Sequence, residues 1–287
     1  MIDRVCYKIA GYLILIEGEY NIIRGLVGFD RFIVSLTDYD FKIELDDVNK
    51  EEFESNGYYT LETPFLRCCF TQHTTGYGMC LKPDDGDGAL YLHYNYANST
   101  SKISGNLKPG MLKFALWVAF GLATLKQRTV AIHASAIIYK EKAILFLGES
   151  GTGKSTHARL WKEYIQGVEP LNDDSPILRI EDGKCYVYGS PWSGKTPCYR
   201  QTKVELFAII RLSKASENNI SRLQLHEAIG AIYPSFPPAF STHEKLAESL
   251  YDILSGILTQ TPVYHLECLP DKGAALLACQ TISHQEA

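Results

Sequence analysis

Residues 148–156 read Gly-Glu-Ser-Gly-Thr-Gly-Lys-Ser-Thr, and Gly148 to Ser155 fit the pattern G-x-x-x-x-G-K-[ST]. Glycines let a backbone approach a ligand closely, and successive N–H groups at the start of a following helix surround phosphate oxygens. Gly148, Glu149, Ser150, Gly151, Thr152, Gly153, Lys154, Ser155 and Thr156 are therefore expected to form a phosphate cradle. Lys154 would reach the β- and γ-phosphates as a point charge, and the Ser155 hydroxyl would ligate a bridging Mg²⁺. ATP and Mg²⁺ are the expected cofactors.

A second literal match, Gly189-Ser-Pro-Trp-Ser-Gly-Lys195-Thr196, follows in the same chain. It runs into Pro197 and Cys198 without helical periodicity, so no helix dipole backs it. A structural turn or a substrate-facing loop is expected there, and the first match is taken as the ATP site.

Downstream of the first loop, Leu171-Asn-Asp173-Asp174-Ser-Pro176 sets adjacent carboxylates at the end of an expected strand, where ligands gather in α/β sheets. Alone, the pair reads as an Asx-type turn before Pro176. Beside a metal-bound triphosphate, one carboxylate neutralises the metal while the other takes the proton of an attacking hydroxyl or water. Both are expected to be catalytic. Asp173 is assigned as the base and Asp174 as the metal ligand, roles that neighbouring carboxylates exchange after small backbone shifts.

His133, in Ala131-Ile-His133-Ala-Ser135, is expected inside an apolar strand next to the one that feeds the loop. By itself it reads as a core histidine; hairpin pairing would instead bring it to a phosphate oxygen as a catalytic group. Lys195 and Arg200 are candidates for an extra cation on the transferring phosphate or for gripping an acidic acceptor, against the plainer reading of solvated surface cations.

These side chains need a strand to feed the loop and a helix to back it. Apolar runs at 130–139 and 143–147, separated by Lys140-Glu-Lys142, read as a hairpin, with a helix over 155–166 behind it. Short strands are expected at 169–171, 177–180 and 185–188, with a longer buried one at 206–212. Helices at 222–232 and 242–258, a strand at 262–266 and a helix at 272–281 complete an α/β half.

Before it, residues 5–96 alternate short β-branched and aromatic runs with turn clusters such as Asp84-Asp-Gly-Asp-Gly88, which lacks the closing Glu of an EF-hand calcium loop. Residues 98–110 are polar and turn-rich; the apolar helix expected at 111–125 carries Lys113 and is too short for a bilayer. The expected division is a β-rich module over 1–108 and a catalytic domain over 109–287.

The 287 residues suit about two domains. With 46% hydrophobic and 21% charged residues, extended disorder is excluded. A net charge of −5 gives no global field for nucleic acid or an anionic membrane, so any phosphate must be held locally. No export signal is read at the N-terminus. Eight scattered cysteines without a CxxC fit a reducing cytoplasm. Cys68, Cys69, His73 and Cys80 have the chemistry of a metal site, but their loose spacing on strand-like segments favours buried, inert thiols.

Together, the hairpin before the loop, His133-Ala-Ser-Ala136, Gly148 to Ser155 and Asn172-Asp-Asp174 resemble the catalytic domain of the HPr kinase/phosphorylase family, whose fold is shared with phosphoenolpyruvate carboxykinase. The resemblance covers about residues 129–212, and the Ser221-Arg-Leu and Phe236-Pro-Pro-Ala239 segments look like the shorter HPr-kinase-like proteins. It implies an α/β (α+β) P-loop domain of the carboxykinase/HPr-kinase type behind a β-rich module, to which the resemblance does not extend. It also implies a kinase with metal and base at Asp173 and Asp174.

The Gly189 to Lys195 stretch departs from the family's substrate loop, which points away from HPr itself as the acceptor. Related enzymes phosphorylate peptides in natural-product maturation, so a Ser or Thr hydroxyl of a protein or peptide is the implied acceptor. Two rivals stand beside this: a nucleotide-dependent switch that holds a partner through its N-terminal module, and a carboxykinase, whose further Lys, His and Arg ligands are not located. The expected partners are ATP and the acceptor, with a homo-oligomer left open and neither nucleic acid nor membrane.

Overall fold

Alternating apolar and polar residues before about residue 105 give strands with one buried and one more polar face. In a computed structural model, which describes residues 2–36, 38–53 and 57–283, they form β1 (Ile2–Ile9), β2 (Tyr12–Glu19), β3 (Ile33–Val34), β4 (Phe41–Leu45), β5 (Gly57–Thr63), β6 (Leu66–His73), β7 (Gly76–Pro83), β8 (Leu90–Asn95) and β9 (Thr100–Gly105). Among the described residues these make one sheet in the order β3-β1-β2-β4-β9-β8-β7-β6-β5. Leu15, Met79, Leu92 and Ile103 are fully buried. Helix α1 (Tyr20–Arg24) follows β2, and α2 (Pro109–Thr124) follows β9.

The chain is mixed α/β and separates into two units, Met1–Gln127 with Ala239–Ala247, and Arg128–Pro238 with Glu248–Ala287. The division thus falls after Gln127, whereas the composition change suggested 108. The reason is that α2 packs against β7 and β8 of the first sheet, burying Leu112, Leu116, Val118 and Phe120. No helix among the described residues is long and apolar enough to cross a membrane. Cys68 is buried while its neighbour Cys69 takes the other face of β6, and burial pushes the Cys68 thiol pKa up. No three His, Cys, Asp or Glu side chains converge on a metal position among the described residues.

The second unit contains β10 (Thr129–Ala131), β11 (Ala134–Tyr139), β12 (Lys142–Leu147), β13 (Glu169–Asp174), β14 (Ile177–Glu181), β15 (Lys184–Tyr188), β16 (Lys203–Lys214), β17 (Asn219–Arg222) and β18 (Val263–Cys268). Its helices are α3 (Lys154–Tyr164), α4 (Leu225–Ile232), the greater part of α6 (Glu244–Leu258) and α7 (Lys272–Ser283), while α5 (Pro238–Ser241) from Ala239 on and the first residues of α6 fall in the first unit. The sheet order is β10-β14-β15-β16-β12-β11-β13, with β18 also pairing β16 and β17 pairing β18. β12 lies between β11 and the parallel β16, so Ala143 to Leu147 are all buried, as a central strand requires. Phe146 of β12, Leu160 and Trp161 of α3, Ile210 and Leu212 of β16 and Leu266 of β18 share one core.

The run 130–139 is not one strand. β10 pairs β14 and β11 pairs β13, and between them Ile132 N donates to Pro176 O. The same interruption occurs opposite, at Ser175-Pro176, where proline has no N–H for the ladder. His133 sits in this gap, half-exposed rather than in the core. β17 likewise takes Arg222, the first residue of the expected 222–232 helix, which starts at Leu225.

Candidate functional site

β12 ends at Leu147 and the chain turns at once through Gly148, whose φ of 151° suits glycine. A Cβ there would lie 2.4 Å from Thr152 Oγ1. Thr152 closes the turn, its N and Oγ1 donating to Glu149 O at 3.2 and 2.8 Å. Gly153, at φ 108°, precedes α3, which begins without a side-chain cap. Its first-turn N–H groups are therefore left for solvent or a ligand.

Lys154 opens α3, yet its side chain folds back over the loop. Nζ donates to Gly148 O at 2.8 Å and Glu149 O at 3.2 Å, and lies 2.9 Å from His133 Nε2. The side chain is 8% exposed. Burial pulls its pKa below the ordinary lysine value; Asp174 and Asp173 oppose this, while the cation Arg211 acts in the same direction as burial.

The β11–β13 register sets Ser135 opposite Asp173 and Ala134 opposite Asp174. Ser135 Oγ donates to Asp173 Oδ1 at 2.6 Å. His133 Nδ1 lies 3.5 Å from Asp174 Oδ1, longer than a full hydrogen bond. His133 therefore stands between Lys154 and Asp174. Asp174 adopts φ 122°, a conformation costing a non-glycine residue about 1–3 kcal/mol and typical of functional sites.

What holds that backbone is the loop bearing the second glycine-rich match. Ser193 bridges Asp174, Gly194 N donates to Asp173 O at 2.6 Å, and Ser193 Oγ donates to the same carbonyl at 3.1 Å. The buried Asn172 amide donates to Trp192 O at 3.1 Å and to Ser190 Oγ at 3.2 Å, and its Oδ1 accepts from Ser175 N at 3.0 Å.

One cleft of about 500 Å³ collects most of the expected residues: His133, Ser150, Gly151, Gly153, Lys154, Ser155, Thr156, Asp173 and Asp174, with Ser135. Gly194, Lys195 and Thr196 form part of its lining, so the second match faces the same cleft. Glu149 and Thr152 instead border a cavity of about 400 Å³ with Arg211, Ser213 and His265. A third, of about 380 Å³, lies along α3 and is lined by Gly151 to Gly153, Thr156, His157, Leu160 and Leu212. Gly148 lines none of the three; it sets the turn.

Arg200 is not brought to the cleft. Its guanidinium donates to Pro170 O at 2.7 Å and pairs with Glu169 at 2.8 Å, at the opposite end of β13 from the aspartates. At ~3.3 Å per residue that end is roughly 16 Å away. Ser135, Asn172, His157 and Arg211 were not among the expected site residues. The available signal was a polar or charged side chain interrupting an apolar strand, as in Ala134-Ser-Ala and Ile210-Arg-Leu212.

The Ser155 hydroxyl and the two carboxylates offer hard oxygen donors in the cleft, a set that suits Mg²⁺. A kinase-type Mg²⁺ needs only one or two protein carboxylates because phosphate and water complete its shell.

No protein-family model and no curated protein matches the chain. Among solved structures it is similar to the Hpr(Ser) kinase/phosphatase from Coxiella burnetii, at 14% sequence identity and a TM-score of 0.33, covering 54% of this chain and 89% of that one. So shallow a likeness leaves the chemistry to be read from the side chains themselves.

Proposed function

We propose that this chain is an ATP- and Mg²⁺-dependent phosphotransferase of the HPr-kinase-like class that moves the γ-phosphoryl group to a Ser or Thr hydroxyl of a protein or peptide. One observation carries the proposal: Lys154 and Ser155 of the glycine loop share a cleft with Asp173, Asp174 and His133. A strand–glycine loop–helix unit supplies phosphate donors, and adjacent carboxylates supply a metal ligand and a base.

Bound Mg²⁺ neutralises charge on the β- and γ-phosphates. Ser155 and Asp174 would hold it. Lys154 exchanges the Gly148 and Glu149 carbonyls, which now occupy its N–H groups, for phosphate oxygens. Asp173, oriented by Ser135, takes the proton of the acceptor hydroxyl as its oxygen bonds to the γ-phosphorus. The bond from that phosphorus to the β-phosphate oxygen breaks, leaving ADP and a phosphoester. His133 spaces Lys154 from Asp174 and donates to a phosphate oxygen when the lysine swings away. The α3-side cavity, apolar at Leu160, Leu212 and Leu269 and sharing Gly151, Gly153 and Thr156 with the cleft, takes the nucleoside. Lys195 presents its charge to an acidic acceptor.

The test is incubation with γ-labelled ATP and Mg²⁺, with and without candidate proteins and peptides. Label on a Ser or Thr hydroxyl is expected. Free phosphate alone would indicate a nucleotide switch, and oxaloacetate-dependent ATP consumption a carboxykinase. Lys154→Ala is expected to lose ATP binding; if Lys195→Ala loses it instead, the nucleotide sits on the other loop. Asp173→Asn should lower turnover about 10²–10⁴-fold with ATP affinity retained, whereas Asp174→Asn should also raise the Mg²⁺ requirement.

A further inference from the structure

We propose that the pocket bordered by Arg211, Ser213 and His265, on the flank of the glycine loop away from the aspartate pair, is a second oxyanion site that takes a phosphate or carboxylate group. It borders the glycine loop of the nucleotide reading but draws on none of the side chains assigned to transfer: Lys154, Ser155, Asp173, Asp174 and His133 lie outside its wall.

Strand geometry builds it. Ala208, Ile210 and Leu212 of β16 point into the core that includes Leu160 and Trp161 of α3, so Arg211 and Ser213 project from the other face. β18 sets His265 directly beside Arg211, on that same face. β12 sets Leu147 on the other side of Arg211, which places the guanidinium level with the start of the loop. The resulting cavity of about 400 Å³ also has Ser150 and Gly151 in its wall.

Charge is what makes the pocket unusual. On and beside this sheet several cations have carboxylate partners: Lys142 and Lys184 pair with Glu205, Arg179 and Lys203 with Glu181, Arg200 with Glu169, although Arg222 of β17 has none among the described residues. Among the described residues neither Arg211 nor Lys214, which also lines the pocket, forms an ion pair. Arg211 donates only to Ala231 O, at the carboxyl end of α4, at 3.2 Å. That contact anchors one end of the guanidinium and leaves further donors of its planar fork, the geometry that matches an oxyanion in two places.

Ser213 Oγ lies 2.9 Å from His265 Nε2, so the hydroxyl and ring fix each other beside the fork. Glu149 is the one carboxylate in the wall, and it makes no ion pair with Arg211. Arg211 also depresses the Lys154 pKa, a repulsion between two cations that a bound anion relieves.

Lys154→Ala full-length protein isolates the pocket, because the loop's own lysine is then absent. Saturable binding of inorganic phosphate, followed by calorimetry, is expected to survive in it and to weaken at least tenfold when Arg211→Gln is added. Loss of all saturable binding in Lys154→Ala, or an Arg211→Gln effect below twofold, overturns the site. Should Arg211→Gln fail to fold, exposed Lys214→Ala decides: affinity two- to threefold weaker at unchanged ellipticity supports the site, and unchanged affinity rejects it. Displacement of phosphate by acetate identifies a carboxylate ligand, and its failure a phosphate one. Since every arm lacks Lys154, failure of the ATP reading leaves these outcomes intact.

Discussion

His157 shows how much one side chain can reveal about the ground beneath a site. It lies one turn into α3, 2% exposed, with its ring edge against Phe146 and its Nε2 buried without a hydrogen-bond partner. Burial pulls its pKa from 6.5 down to about 4, with Asp271 opposing. Because the folded value is below the unfolded one, the folded state favours the neutral ring. The stability it contributes is full above pH 6.5 and is lost as pH falls towards 4. Between pH 7 and 4 this amounts to about 3 kcal/mol. His157→Leu should flatten that part of the stability curve relative to the native protein in urea titrations; parallel curves would show that the ring does not titrate in the buried site. Lys154 differs in that two carboxylates, Asp174 and Asp173, oppose the lowering of its pKa by burial.

At the scale of elements, the site depends on a loop whose buried side is tied down by one amide. Asn172 reaches Ser190 and Trp192 from the buried face of β13, while Gly194 and Ser193 bond the Asp173 carbonyl. Removing the amide takes buried hydrogen bonds from Ser190, Trp192 and Ser175 N, at about 1–3 kcal/mol. Asn172→Ala should lower the unfolding free energy by that amount and speed hydrogen exchange at residues 190–198 more than in β12. Equal exchange in both places would mean that the loop is held by other contacts.

Element types were largely readable in the second unit because apolar periodicity and length decide them: the β12–loop–α3 unit stands where the glycine pattern put it. The partners of the second glycine-rich segment were not readable, since its contacts with Asn172 and Asp173 use backbone carbonyls and an amide N–H together with common polar side chains, Ser190 and Ser193, that carry no pairing signal. The gap at His133 was missed for a similar reason. It depends on which strand pairs with 129–131, and Pro176, which helps break the ladder, lies more than forty residues later. Arg211 interrupts an apolar run, and only the register shows that it lies beside Leu147 and His265.

At the scale of the whole molecule, chain order and structural membership part company. Residues 239–247 lie far beyond Gln127 in sequence yet belong to the first unit. Phe240, 1% exposed, packs its ring on Gly121 of α2 so closely that a Cβ there would fall 2.7 Å from Cε2. Three residues on, His243 lies edge-on to Tyr58 and Tyr77, with ring centroids at 4.7 and 5.1 Å. Cutting the chain by composition alone would therefore deprive the first unit of part of its core.

Phe240→Ala should destabilise that unit by about 3–5 kcal/mol, the usual result of emptying a buried aromatic site. The loss should be local in structure though distant in sequence. Native-state hydrogen exchange is expected to accelerate in α2, β7 and β8 while amides of β12 and α3 keep their protection. The opposite pattern, with α2 unaffected and β12 exposed, would assign Phe240 to the second unit. A compact unit assembled from two separated stretches closes only after the second has been synthesised, so the N-terminal sheet acquires its full stability late, whatever its own strand propensities.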